Sequence, residues 1–141
     1  MSHLIYVISG TNREFSDWSV VTDVSIVHIN IRSLNANFDE LEYIVGSLEQ
    51  KPLIIGLTET WLHQNSPVNA FSLEGYHSLI TRNRANKGGG GVAANIRKDF
   101  ILKVINNDFL RETLVLDFFL HRRKHRLNFV YAPPSMRKSD F

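Results

Sequence analysis

Residues 24–58 constrain the fold more than any other part of the chain, because two apolar β-branched runs enclose a stretch with helical periodicity. Val24, Ile26, Val27, Ile29 and Ile31 make the first run, and Leu53-Ile54-Ile55-Gly56-Leu57-Thr58 the second. Nearly continuous apolarity suits strands buried on both faces. Between them Phe38, Leu41, Ile44, Val45 and Leu48 recur at helical spacing and form one apolar stripe. Asn37 is the expected N-cap, Glu40 three residues on completes a capping box, and Pro52 blocks continuation. Strand, helix, strand at this spacing is a crossover unit, so the two strands are parallel and the connection right-handed. The runs end in Asn30 and Glu59, which therefore share one carboxyl edge, where open α/β sheets usually place their ligands.

Around this unit the chain divides into a leader (residues 1–23), a compact part (24–135) and a frayed tail (136–141). Within the leader, the mostly apolar six-residue window in Met1 to Gly10 is either a short strand or an unrelated tail. Further strands are expected at Tyr76–Ile80, Val92–Ile96, Ile101–Ile105, Leu114–Phe119 and Leu127–Tyr131. The last two are joined by the charged turn His121-Arg122-Arg123-Lys124-His125, and Pro133-Pro134 ends the final strand.

Composition narrows the function classes. Hydrophobic residues at 43% with 21% charged are ordinary for a globular chain, which argues against disorder throughout. A net charge of +2 permits a nucleic-acid partner, provided the cations cluster locally. The absence of cysteine excludes disulfides and thiolate metal sites. No apolar stretch approaches the roughly 18 to 20 residues that cross a bilayer, and no positive leader marks a signal peptide. The expectation is an intracellular protein without a membrane partner.

Several residues could carry chemistry. A carboxylate directly after a buried strand, as Glu59 is, is costly unless hydrated, paired or bound to a cation. The alternative is an ordinary strand-end acid. Asn30 could offer an amide oxygen and nitrogen beside it, although asparagine also ends many strands in turns. Tyr131 is either a packing aromatic or a phenol aimed at the same edge. Gly88-Gly89-Gly90-Gly91 lacks a following Lys-Ser/Thr pair, so it reads as a turn with unusual backbone angles and not as a phosphate loop. Arg122, Arg123, Lys124 and Arg126 form either a solvated hairpin tip or a nucleic-acid contact. The scattered histidines show no zinc spacing.

Taken in order, several strings resemble the endonuclease/exonuclease/phosphatase superfamily. They are Asn30-Ile31-Arg32-Ser33-Leu34, Phe38-Asp39-Glu40-Leu41, Pro52 through Leu62, Gly75-Tyr76, Arg82-Asn83-Arg84, Gly88 through Ala93 and Val130 through Ser135. Within that superfamily the chain is most similar to the apurinic-like endonuclease domain of non-LTR (LINE-like, jockey-type) retrotransposons, which is associated with a reverse transcriptase. The resemblance implies a DNase I-like two-sheet α/β sandwich that cuts DNA with Mg²⁺ or Mn²⁺. It casts Asn30 as orienting the scissile phosphate and a ligand, Glu59 as the metal ligand and Tyr131 as a phosphate contact. Arg84 and the hairpin cations would bind DNA, and a nuclear location is implied.

The family's Gly-Asp-Phe-Asn and Ser-Asp-His segments are missing, and Asn83 stands where an aspartate is common. The sandwich is thus expected to be partial, incomplete at its C-terminal side and inactive as this chain alone. It is also expected to self-associate through an uncovered sheet face. The alternative is a non-catalytic remnant or weak nucleic-acid-binding module.

Overall fold

The computed structural model describes residues 4–8, 25–83, 89–100, 102–105, 113–120 and 122–131. Its elements are β1 (Leu4–Ile8), β2 (Ser25–Asn30), α1 (Leu34–Ser47), β3 (Ile54–Thr58), a 3₁₀ turn (Val68–Phe71), β4 (Ile80–Arg82) and β5 (Val92–Ile96). They are followed by β6 (Leu102–Ile105), β7 (Thr113–Leu120) and β8 (Arg123–Val130). Among the described residues one sheet runs β1-β2-β3-β5-β4 and a second β6-β7-β8. The apolar window of the leader is thus a strand, parallel to β2 with Leu4 opposite Ser25. The remainder of the leader, Pro133-Pro134 and the tail lie outside the described residues.

The expected crossover unit is present. β2 and β3 pair in parallel with Asn30 opposite Thr58, and α1 lies between them in sequence. All five β3 residues are buried. The two sides of the first sheet take different covers. Ile55 and Leu57 face Leu34, Leu41 and Val45 of α1, whereas Ile54, Val92, Ala94 and Ile96 face Leu114, Leu116, Phe118 and Phe129 of the second sheet. Gly56 is what allows the sheets to approach, because a Cβ there would run into the Phe129 ring.

Three local expectations are corrected. Helix α1 begins at Leu34, capped by Ser33, whose Oγ accepts from the Ala36 N–H at 3.3 Å. An N-cap side chain must accept from free N–H groups. Asn37 instead donates its amide to the carbonyls of Ile31, Arg32 and Ser33 at 2.9, 3.0 and 3.2 Å, so it ties the loop to the helix. Tyr76 forms only an isolated bridge to Arg97, and the strand begins at Ile80. Gly75, at φ +85°, turns the chain there. In the β7–β8 hairpin Leu120 already pairs with Arg123, which leaves a two-residue connection with Arg122 at φ +64°. Arg123, Lys124 and His125, expected in the turn, are instead strand residues opposite Leu120, Phe119 and Phe118, and Lys124 reaches Asp117 at 3.1 Å.

The outer face of the second sheet carries exposed Phe119 and Val130, while Val115 between them is buried. No helix among the described residues is long and apolar enough to cross a membrane.

Candidate active site at the carboxyl rim

The site is built where β2 and β3 end. Past Asn30 the chain continues to zip along the exit of β3: Ile31 N–H donates to Thr58 O, Ser33 N–H to Glu59 O and Leu34 N–H to Thr60 O at 2.9–3.0 Å. On the other flank Thr60 N–H donates to Gly91 O at 3.4 Å and Trp61 N–H to Gly90 O at 2.9 Å. The Glu59 turn is therefore clamped between two backbone segments. Both clamps need left-handed backbone: φ is +46° at Arg32, +79° at Ser33, +53° at Glu59 and +57° at Trp61. Such residues cost on the order of 1–3 kcal/mol each and persist where the surroundings over-determine them, which happens most often at functional sites.

The glycine run supplies the second clamp. Gly89, Gly90 and Gly91 have φ of +86°, +70° and +87°, and a Cβ on Gly91 would lie 2.6 Å from Thr60 Oγ1. Its expected reading as a turn of unusual backbone angles holds for these three, and Gly88 lies outside the described residues. That the turn exists to cradle Thr60 and Trp61 was not readable from the run itself.

Held this way, half-buried Glu59 accepts a hydrogen bond from the Tyr131 hydroxyl through Oε1 at 2.8 Å, across 72 residues of sequence. Tyr131 follows the end of β8, so the contact joins the rims of the two sheets. Strand alternation puts Asn30 on the inter-sheet face, with its register partner Thr58 one residue before Glu59. Asn30 Oδ1 is buried and has no hydrogen-bond partner. His28, two residues earlier on the same face, meets Thr58 Oγ1 through Nε2 at 3.1 Å and stacks on Phe129 with ring centroids 6.3 Å apart. Partial burial lowers the His28 pKa from its ordinary value by disfavouring the charged ring. His28 was missed in the sequence. Its position two residues before Asn30 on one strand face was the available signal.

A buried acceptor without a donor costs about 1–3 kcal/mol unless something fills the vacancy. Asn30 Oδ1 and the second oxygen of Glu59, carried at the ends of two adjacent strands, are both hard oxygen donors. Among the described residues no three His, Asp or Glu side chains gather into a metal cluster. Mg²⁺ does not require one, since it is usually bound by one or two carboxylates with waters and substrate phosphate oxygens completing the shell. Asn30 and Glu59 fit that donor set.

The cations are placed elsewhere. Arg126 donates through Nε and Nη2 to the two oxygens of Asp117 at 2.6 and 2.8 Å, and Lys124 Nζ lies 3.1 Å from Asp117 Oδ2. These partners, Arg126 first, hold the Asp117 carboxyl well below the usual carboxylate range, and Asp117 in turn raises the Arg126 pKa. Arg122 and Arg123 are exposed at the tip. The tip lies at the start of β8, and Tyr131 follows its eighth and last residue. At strand rise this separates tip and rim by about 25 Å. Arg84 lies outside the described residues.

No family model and no curated protein matches this chain. Its fold does match solved structures. An AP endonuclease (LMAP) from Leishmania major aligns at TM-score 0.61 and 17% identity, covering 79% of this chain and 41% of that one. The 3'-5' exonuclease NExo from Neisseria meningitidis aligns at TM-score 0.52 and 20% identity, covering 72% and 39%. The chain therefore spans about two fifths of these structures. At such identities the match establishes architecture: a DNase I-like α/β sandwich of two sheets, spanned in part.

Proposed function

We propose that this chain carries the amino-terminal part of a metal-dependent DNA endonuclease of the retroelement type. One observation carries the reading. Glu59 and Tyr131, far apart in sequence, join at a strained rim where a buried amide oxygen of Asn30 stands without a partner. The fold shared with an AP endonuclease and a 3'-5' exonuclease supports it.

In this reading Glu59 and Asn30 hold Mg²⁺ or Mn²⁺, which when bound polarises a phosphoryl oxygen and stabilises developing charge. The chain's own groups orient the substrate. The Tyr131 hydroxyl fixes the Glu59 rotamer and can turn its donor to a phosphate oxygen, and the Asn30 amide N–H groups donate to a second one. His28, the titratable group on the same strand face, is half-buried and engaged by Thr58 and Phe129, so it is not placed to activate water. The 141-residue chain is then inactive by itself, because positioning without a general base leaves hydrolysis slow.

The test has two readouts. Mn²⁺ binding, followed by water-proton relaxation, should be present in the chain and lost in Glu59→Ala. Supercoiled plasmid with Mg²⁺ should remain uncut by the 141-residue chain. Absence of Glu59-dependent Mn²⁺ binding would overturn the nuclease reading, and Glu59-dependent nicking would overturn the inactivity. A second reading, a non-catalytic nucleic-acid-binding remnant, is favoured by the exposed Arg122 and Arg123. Binding that persists in Glu59→Ala and vanishes in an Arg122→Ala/Arg123→Ala double variant would select it. Self-association through the exposed Phe119 and Val130 face belongs to either reading, and sedimentation of the Phe119→Ser variant tests it.

A further inference from the structure

Two residues past Glu59, Trp61 stands out against its neighbours. Thr60 and Leu62 are buried, whereas Trp61 is 48% exposed. Left-handed backbone is a genuine outlier for so bulky a residue, yet Trp61 is held at φ +57° by the hydrogen bond from its N–H to Gly90 O at 2.9 Å. Gly89 borders the indole, where an added Cβ would lie 3.9 Å from Nε1. An aromatic ring is thus presented to solvent by a backbone constrained from two sides, on a Cα no more than about 7 Å from that of Glu59. Burial in the core would account for a tryptophan in most chains. Here the neighbouring residues are turned inward and the ring outward.

We propose that the Trp61 indole is a stacking platform for an unpaired nucleobase adjoining the phosphate held at the Glu59 rim. Single-stranded nucleic acid, or a strand with an unstacked base, is then the substrate class. The inference rests on the nuclease reading above and adds to it the feature of the substrate that is recognised. Stacking on an aromatic face is tolerant of base identity, because every base offers a π-face, and it requires that the base be out of a continuous stack. An intact duplex presents phosphates to the rim but no free base face to the indole.

The experiment uses the full 141-residue chain. The chain has two tryptophans, so a Trp18→Phe background leaves Trp61 as the sole indole emitter. A short deoxythymidine oligonucleotide is titrated at low salt, with a blunt duplex as the comparison. The oligonucleotide should quench the emission and the duplex should not. By anisotropy of a labelled oligonucleotide, Trp61→Leu should weaken binding roughly 5- to 100-fold, and Trp61→Phe should recover most of it. Circular dichroism confirms that the Leu variant is folded, and the quenching arm and the Phe variant stand even if it is not. Unchanged affinity in Trp61→Leu, unquenched emission at saturation, equal quenching by duplex, or no binding of either nucleic acid would each overturn the proposal. Mn²⁺ binding at Glu59 separates the two failures. If it persists while stacking fails, only the Trp61 role falls; if it is absent, the nuclease reading falls with it.

Discussion

The carboxylate of Glu59 lies at the end of β8 and that of Asp117 beside its middle, and the two are treated in opposite ways. Asp117, 7% exposed, is saturated: Arg126 engages both oxygens and Lys124 adds a third contact. Its backbone is regular strand, paired to Arg126 in register. Glu59 takes one neutral hydroxyl on one oxygen and sits on left-handed backbone, next to the strand whose Asn30 amide oxygen has no donor. Complete pairing is what a carboxylate needs to be structural. Incomplete pairing, held rigidly, is what it needs to accept a ligand. The same contrast separates the cations. Arg126 and Lys124 look like a nucleic-acid surface in sequence, but their charge is largely committed to Asp117.

The comparison breaks most directly by removing each carboxylate in turn. Glu59→Ala should weaken Mn²⁺ binding by more than the roughly 10- to 100-fold that loss of an outer-sphere partner causes, with Tyr131→Phe falling within that range. Asp117→Asn should leave Mn²⁺ binding unchanged. Relaxation titrations of the three variants decide the matter, and equal losses at both carboxylates would erase the distinction.

The rim's strain is tested next. Gly91→Ala meets both φ +87° and Thr60 Oγ1. Denaturant unfolding should show a loss of about 1–3 kcal/mol, accompanied by weaker Mn²⁺ binding.

Acidification sharpens the other side. The folded-state pKa of Asp117 is depressed, so its stabilisation is present above the unfolded carboxylate value near 3.9 and is lost as pH falls toward the lower folded value. Asp117→Asn should therefore melt below the parent at pH 7, and the two melting curves should converge as pH drops through 4 to 2. A constant gap across that range would contradict the pairing.

The smallest effect is expected at Asn95, which with Asn30 and Asn83 is one of three buried amide oxygens without a partner among the described residues, and which is 1% exposed on the α1 side of β5. Asn95→Leu should leave Mn²⁺ binding intact and raise stability by about 1 kcal/mol, because an orphaned acceptor is removed without leaving its partner unpaired. Destabilisation there would show that a buried water satisfies the group.

Much of the frame was legible in the residues. The β-branched runs and the apolar stripe between them specify β2, α1 and β3 locally, and parallel pairing follows from the crossover, so Asn30 and Glu59 had to reach one edge. Val92–Ile96 was read with its bounds, and the glycines as a positive-φ turn. The errors have a common cause. Asn37 looked like a cap because a side-chain amide can accept as well as donate, and only the three carbonyls of the preceding loop decide which it does. The charged residues Arg123 to His125 looked like part of a turn because propensity disfavours them in strands, and pairing with β7, with Lys124 meeting Asp117, overrides propensity. The Tyr131 to Glu59 hydrogen bond had no local signal.

By itself, then, the order of residues determined which segments are strands or helix and which polar groups arrive at the carboxyl rim, because periodicity and steric punctuation act over a few neighbouring positions. Which carboxylate is saturated and which stays open, what the glycines cradle, and that Trp61 faces outward were decided only by tertiary contacts: the pairing of β7 with β8, the glycine clamp on the β3 exit, and the Tyr131 contact that joins the two sheets. Those outcomes depend on partners brought from as far as 72 residues away, where no local preference reaches.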